Sequence, residues 1–241
     1  MHFTASMVTV WPCKNKGALT RITDYNSGTM IQSELFDRNV GDYEAWYDQH
    51  TEVYQSEIIA LREQISTLPE NIRGIEVGLG TGRFTKPLGI REGIEPSESM
   101  AARARARGIE VMDGLAENLP YADLQFDFVL FVTICHLRNL KMALSEAHRV
   151  LKHKGALIIG FLDKDRPIAQ SYIEKRGRST FYAQADFYTV SRLDTLIRDA
   201  GFRDPEYIQT LFGGLDDIRE IQLPKPGHGE GSFVVVKAIK K

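Results

Sequence analysis

Three glycines and two carboxylates carry the most chemistry in this chain. Gly78, Gly80 and Gly82 occupy alternate positions in Ile75-Glu76-Val77-Gly78-Leu79-Gly80-Thr81-Gly82-Arg83, with Glu76 two residues ahead of the first. Glycine lets a backbone turn sharply and approach a ligand closely. A plain strand-to-helix turn uses the same residues, so their surroundings must decide. A dinucleotide fingerprint requires glycine where Arg83 stands, and a phosphate loop requires a lysine that this stretch lacks. Glu95 closes the next apolar segment, and a carboxylate there can accept hydrogen bonds from both hydroxyls of a ribose. Glycine turn plus ribose carboxylate, without a pyrophosphate-type helix start, suits a nucleoside that carries no phosphate.

Other reactive side chains give two readings each. His136 follows a long apolar run, where it is either a general base or a residue that orders its loop by bonding backbone carbonyls. Cys135 either lines a pocket or packs as a small core residue. His148 and His153 lack a third ligand at metal spacing, so no metal site is expected. Arg103 and Arg107 share one helical face and read as a solvated helix end. The turn Gly227-His228-Gly229-Glu230-Gly231 precedes a strand, so the helix-start mechanism of anion binding does not apply to it.

The elements that must hold these groups follow from periodicity. Phe36, Val40, Tyr43, Trp46, Tyr47 and Tyr54 recur at helical spacing, and a second amphipathic segment runs from Glu57 to Leu68 before Pro69. Strands are predicted at Gly74–Val77, Glu92–Glu95, Glu110–Met112, Phe126–Val132 and Ala156–Phe161. Helices are predicted between Arg83 and Gly89, over Ser97–Arg107, Lys141–Leu151 and Asp186–Ala200, with Gly155 as a left-handed cap. Strand alternating with helix implies parallel β-α-β units and a doubly wound α/β sheet. Two last β segments, Tyr207–Phe212 and Ser232–Ile239, flank a Gly/Pro-rich link too broken to be a crossover, so the last strand is expected antiparallel.

Composition narrows the function classes. At 241 residues and 27.2 kDa, the chain suits one α/β domain with a small cap. Residues 1–33 are polar, lack a period and read as a loose extension, with Met30 as an alternative start. A net charge of −2, with lysines and arginines spread along the chain, argues against a nucleic-acid footprint. The cysteines, Cys13 and Cys135, form no close pair and read as free thiols in a reducing compartment. No apolar run is long enough to cross a bilayer and no secretory leader stands at the start, so a cytoplasmic protein without membrane or nucleic-acid partners is expected.

Five linked motifs carry a resemblance: IEVGLGTGRF (75–84), GIEPSESM (93–100), GLAENLPY (114–121), FDFVLFVTICHL (126–137) and ALSEAHRVLKHKGALIIG (143–160). In this order the chain resembles the class I S-adenosylmethionine-dependent methyltransferases, particularly the small-molecule group related to quinone-biosynthesis enzymes. The resemblance implies a Rossmann-like, mostly parallel seven-stranded sheet. Residues 34–68 would form a helical cap and 72–241 the cofactor-binding core. It further implies that Gly78, Gly80 and Gly82 surround the amino-acid part of S-adenosylmethionine, that Glu76 organises its amine, and that Glu95 holds the ribose. Pro96, Leu115 and Ala116 would border the adenine, and Thr133 would sit beside the sulfonium. Tyr43 or Arg83 would lie near the methionine carboxylate. Many relatives carry Asp where Leu115 stands; leucine cannot accept the bond from the adenine amine, so the ring would lean on backbone groups. His136 is the candidate catalytic residue, with Tyr47, Cys135, Tyr172 and Tyr182 as candidates for the acceptor pocket.

The implied reaction moves a methyl group to a small-molecule acceptor, leaves S-adenosylhomocysteine and needs no metal. Its alternatives are a non-catalytic S-adenosylmethionine-binding sensor or partner subunit, and an RNA or protein methyltransferase. Oligomeric state is not readable from these residues.

Overall fold

The computed structural model describes residues 33–241; the reading of 1–33 as a loose extension, and Cys13, fall outside that range apart from Ser33. The strands are β1 (Gly74–Val77), β2 (Glu92–Ile94), β3 (Glu110–Met112), β4 (Phe126–Val132), β5 (Leu151–Leu162), β6 (Phe202–Thr210), β7 (Lys225–Pro226) and β8 (Phe233–Lys240). They form one sheet in the order β3-β2-β1-β4-β5-β8-β6-β7. From β3 to β5 every pairing is parallel, and β8 lies antiparallel between β5 and β6. The eighth strand was not visible in the sequence: β7 is only two residues of the Gly/Pro-rich link, paired with Ile208 and Gln209 at the sheet edge.

The helices are α1 (Val40–Gln49), α2 (Thr51–Ser66), α3 (Glu98–Ala106), α4 (Leu140–Val150), α5 (Pro167–Glu174) and α6 (Val190–Asp199), and residues 33–38 are also helical. Both faces of the sheet are covered, which is why its strands read as nearly continuous apolar runs. Along β4, Val129 and Phe131 pack into the core on one face, and Phe128, Leu130 and Val132 into the core on the other. β8 divides likewise, with Val234 and Val236 on one face and Phe233 and Val235 on the other. Each such buried side chain contributes about 1.5–3 kcal/mol relative to exposure. α4 and α6 pack on β5 and β6 respectively, whereas α2 lies on β8, β6 and β5. Thus α2 packs against the sheet itself, and its stripe of Val53, Ile58, Ala60 and Leu61 is fully part of that core.

Several boundaries depart from periodicity for local reasons. The region between Arg83 and Gly89 forms successive turns instead of a helix, although Lys86 and Leu88 still donate to the carbonyls of Gly82 and Phe84. The helix predicted from Asp186 starts only at Val190, because the Thr189 hydroxyl caps it by accepting the Arg192 N–H. The preceding residues are extended and bond elsewhere: Asp186 N–H to the Cys135 carbonyl, and the Tyr188 carbonyl to Lys164 N–H. Within β5, where its register against β4 shifts between Leu151 and Ala156, the left-handed residue is Lys154 (φ 63°), not Gly155. Gly155 is required because a Cβ there would stand 2.8 Å from the Lys152 carbonyl oxygen.

The chain leaves β1 toward β2 and β3 on one side and later returns to place β4 on the other. The sheet therefore switches direction between β1 and β4, and open α/β sheets bind ligands at the carboxyl ends of strands at such a point. Gly78, Glu95 and Thr133 all lie just beyond those ends, after β1, β2 and β4.

Candidate active site

A cavity of about 210 Å³ opens at the switch point. One end is built by the glycine turn. Gly78 and Leu79 both donate backbone N–H bonds to the Ile94 carbonyl, at 2.9 and 3.0 Å, which ties the turn to the end of β2. Gly78, Gly80 and Gly82 all have positive φ (73°, 56° and 79°), a conformation that L side chains rarely adopt. A Cβ on Gly78 would meet nothing within 4 Å, and one on Gly80 would meet the Tyr43 hydroxyl at 3.1 Å. The turn thus leaves an open cradle at Gly78 and a tight one at Gly80.

Glu95 stands across this cradle. Its Oε2 accepts the Gly80 N–H at 2.8 Å and its Oε1 accepts the Ser97 N–H at 2.9 Å. Burial raises its carboxyl to about 7, opposed by those two backbone bonds. Glu76, 1% exposed, accepts a 2.6 Å bond from the Thr85 hydroxyl. Burial pushes Glu76 up to about 8, against the Thr85 bond and with a contribution from neighbouring Glu95. Two carboxyls held near neutrality by desolvation gain most from a cationic ligand, which restores their charged forms. Pro96, Leu115 and Ala116 continue the same wall, and Glu117 beside them accepts the Asn139 N–H.

The other end is aromatic. Tyr172 and Tyr182 stack at 4.2 Å, Tyr182 lies over His136 at 5.8 Å, and Phe36 meets the His136 ring edge-on at 5.1 Å. Phe36 also stacks on Phe181 at 5.6 Å, and Tyr43 meets Tyr47 at 5.1 Å. The rings come from the helical residues 33–38, α1, the turn Ile134–His136 after β4, α5 and the segment between α5 and α6, and they close one chamber. Burial holds His136 down to about 4, so its imidazole is neutral at pH 7. Thr133, at φ 59°, reverses the chain after β4 and joins the cavity wall between the two ends.

Three residues expected at the site stand outside the cavity wall. Gly82 is needed for packing, since a Cβ there would collide with the Ile109 side chain. Arg83 is committed to α1, donating to Glu44 Oε2 at 2.9 Å and Asp48 Oδ1 at 2.6 Å while lying over the Tyr47 ring. Cys135 is buried among Ala169, Ala185 and Phe187, and burial pushes its thiol up to about 12. Arg107 corrects the solvated-helix reading: it donates to Glu44 Oε2 at 2.6 Å and to the Thr81 carbonyl. Burial alone would raise Glu44, but the hydrogen bonds from Arg107 and Arg83 overcome it and bring the carboxyl to about 2. This ionic cluster fastens α1 to the glycine turn.

The sequence reading did not single out Trp46, Glu57 and Glu117 as site residues, yet all three line the cavity. For Glu57 a signal existed: it sits midway between Val53 and Leu61 at four-residue spacing, a charge on the buried stripe of a helix.

Sheet order, switch-point cavity and a glycine cradle facing a buried carboxylate define a nucleoside-cofactor α/β enzyme of the Rossmann-like class. Comparison with known proteins makes this specific. The methyltransferase-domain family matches residues 75–159. A Thermotoga maritima S-adenosylmethionine-dependent methyltransferase, described as a possible histamine N-methyltransferase, superposes with a TM-score of 0.82 at 44% identity, over 87% of this chain and 100% of that one. An uncharacterized protein of Methanocaldococcus jannaschii is 39% identical over 207 residues, 86% of this chain and 98% of its own length. The ubiquinone/menaquinone biosynthesis C-methyltransferase of Rhizobium meliloti is 30% identical over 122 residues, 44% of this chain and 47% of that protein. The chain belongs to the class I S-adenosylmethionine-dependent methyltransferases. No helix among the described residues is long and apolar enough to cross a membrane.

Proposed function

We propose that the chain transfers the methyl group of S-adenosylmethionine to a small-molecule acceptor, with cofactor at the glycine-turn end of the cavity and acceptor at the aromatic end. The continuity of that cavity carries the reading: one space touches Gly78, Glu95 and Ala116 as well as Tyr47, Tyr172 and Tyr182. The open Gly78 cradle and the cation-favouring carboxyls fit a ligand that carries a ribose and a positive charge. When bound, the sulfonium supplies a methyl carbon that is already electrophilic and open to in-line displacement.

The chain's own residues supply position and dryness. Glu95 spends one lone pair of each oxygen on the Gly80 and Ser97 amides, and its remaining lone pairs take the ribose hydroxyls. Glu76 faces the cationic amine, with Thr85 fixing its rotamer. Gly78 and Gly80 let the backbone approach the methionine part, while Gly82, Arg83 and Arg107 act at one remove by packing the turn and anchoring α1. Tyr43 borders the same part of the ligand. Pro96 and Leu115 pack the adenine, whose edge meets the Ala116 backbone. Thr133 lies between the two ends and His136 at the aromatic one. A neutral His136 orients the acceptor by hydrogen bonding, since an imidazole near 4 is too weak a base to store a proton at pH 7.

In this assignment residues 34–68 serve as a cap only through their first half, because α2 belongs to the sheet's core. The ring-lined chamber suits a small acceptor more than an RNA or a protein chain, and the description of the Thermotoga relative points the same way. The test is transfer of labelled methyl from S-adenosylmethionine to a panel of thiols, phenols and amines, read by product mass. Transfer to a member of the panel is the expected result. Tight binding of the demethylated cofactor without transfer to any acceptor would favour a cofactor-sensing protein instead.

A further inference from the structure

Glu57 has no place in the cofactor scheme. It projects from α2, is 7% exposed and lines the cavity, yet among the described residues its carboxyl makes no hydrogen bond or ion pair. Buried ionisable groups without partners are rare in folded proteins because desolvation favours their removal. Cations on segments that touch α2 are engaged by other groups, Arg83 by Glu44 and Asp48, and Lys237 of β8 by Thr67 and Glu206; Arg138, which lines the same cavity, also has an interaction of its own.

The carboxyl's electrostatic neighbours are the phenols of Tyr47, Tyr172 and Tyr182, whereas Glu76 and Glu95 feel each other. Glu57 therefore belongs to the aromatic end. The Tyr172 hydroxyl there is also buried without a hydrogen-bond partner among the described residues. An acidic group inside a box of electron-rich rings is the chemistry that recognises an organic ammonium: the carboxylate accepts its N–H bonds and the ring faces attract its charge.

Resting on the small-molecule reading above, we propose that Glu57 is the anchor for a positively charged nitrogen of the methyl acceptor, so that the acceptor class is a small organic amine. Burial pushes Glu57 up to about 8, so it is mostly protonated at pH 7 until a cation arrives. Pairing with an ammonium ionises it, and one proton leaves to solvent as the amine binds. The groups facing it do not share this titration: burial raises Tyr47, Tyr172 and Tyr182 far above the range, and His136 is held down at about 4. Glu76 and Glu95 titrate in the same range, at about 8 and about 7, but at the cofactor end.

Calorimetry on wild type and Glu57→Gln tests this in two stages. S-adenosylhomocysteine is titrated first. The loaded proteins then receive 2-phenylethylamine against 2-phenylethanol, and histamine against its alcohol analogue. The expected result is S-adenosylhomocysteine binding of equal strength to both proteins. Wild type should prefer an amine over its alcohol by about tenfold or more, with proton release seen in buffers of different ionisation enthalpy. Glu57→Gln should lose both the preference and the proton release. If S-adenosylhomocysteine fails to bind wild type, the cofactor assignment falls and the amine proposal with it. If it binds but no amine exceeds its alcohol, or the preference survives in Glu57→Gln, the amine proposal alone is overturned.

Discussion

The two ends of the cavity are built by different means. At the glycine-turn end, backbone does most of the work: positive-φ glycines, amides of Gly78 and Leu79 on the Ile94 carbonyl, and amides of Gly80 and Ser97 on Glu95. At the aromatic end, side chains from three separate stretches of chain meet, and their rings close the space by stacking. A backbone-built end tolerates few substitutions and holds an invariant ligand. A side-chain-built end can change its occupant one residue at a time. The difference supports the proposed placement of cofactor and acceptor at the two ends.

The largest expected effect breaks the backbone end. Gly80→Val places a branched side chain at φ 56° against the Tyr43 hydroxyl. We expect binding of S-adenosylhomocysteine to weaken by about 100-fold or more, since left-handed strain and lost approach each cost about 1–3 kcal/mol. Unchanged affinity by calorimetry would mean that the turn does not approach the ligand.

A second prediction separates the ends by charge. Glu57 and Glu76 have folded-state pKa values near 8, above the ordinary carboxylate value of 4.5. A raised carboxyl stabilises the fold fully only below about pH 4.5, and that contribution is lost as pH climbs toward 8. Thermal melts of the ligand-free protein between pH 5 and 8 should therefore fall less steeply in Glu57→Gln than in wild type. Parallel slopes would contradict the burial of an ionisable Glu57.

Smaller effects come from one residue at each end. His136→Ala should lower kcat by about tenfold, the worth of one orienting hydrogen bond of about 1–1.5 kcal/mol, while S-adenosylhomocysteine affinity changes less than about twofold. Equal losses in both would make His136 a packing residue for Phe36 and Tyr182. The smallest change is a gain: Leu115→Asp restores an acceptor for the adenine amine and should tighten cofactor binding by about threefold to tenfold, the span of one exposed-to-half-buried hydrogen bond.

What could be read from the sequence followed the same division. The glycine turn, Glu76 and Glu95 are local in sequence, so their spacing alone brought them together. The strand run of β4 was equally legible, because an unbroken apolar run of a few residues marks a strand buried on both faces; the cap of α4 at Asn139 was not read. The chamber of Phe36, Trp46, Glu57, Tyr172 and Tyr182 is assembled by tertiary folding, so Tyr172 and Tyr182 entered as candidates through the family resemblance and the rest showed only as aromatic composition or a misplaced charge. Arg83 and Arg107 misled for the same reason. Nothing near either residue announces that both converge on Glu44, nor that Cys135 turns away into the cluster around Ala169.

The central claim is that Glu95 and the glycine turn hold the nucleoside of S-adenosylmethionine. Calorimetric titration of S-adenosylhomocysteine into wild type and Glu95→Gln tests it most directly. The amide keeps one oxygen for the Gly80 or Ser97 N–H but loses the charged acceptor for the ribose. One-to-one binding to wild type, weakened about tenfold or more in Glu95→Gln, is the predicted result. Equal affinity in the two proteins would contradict it.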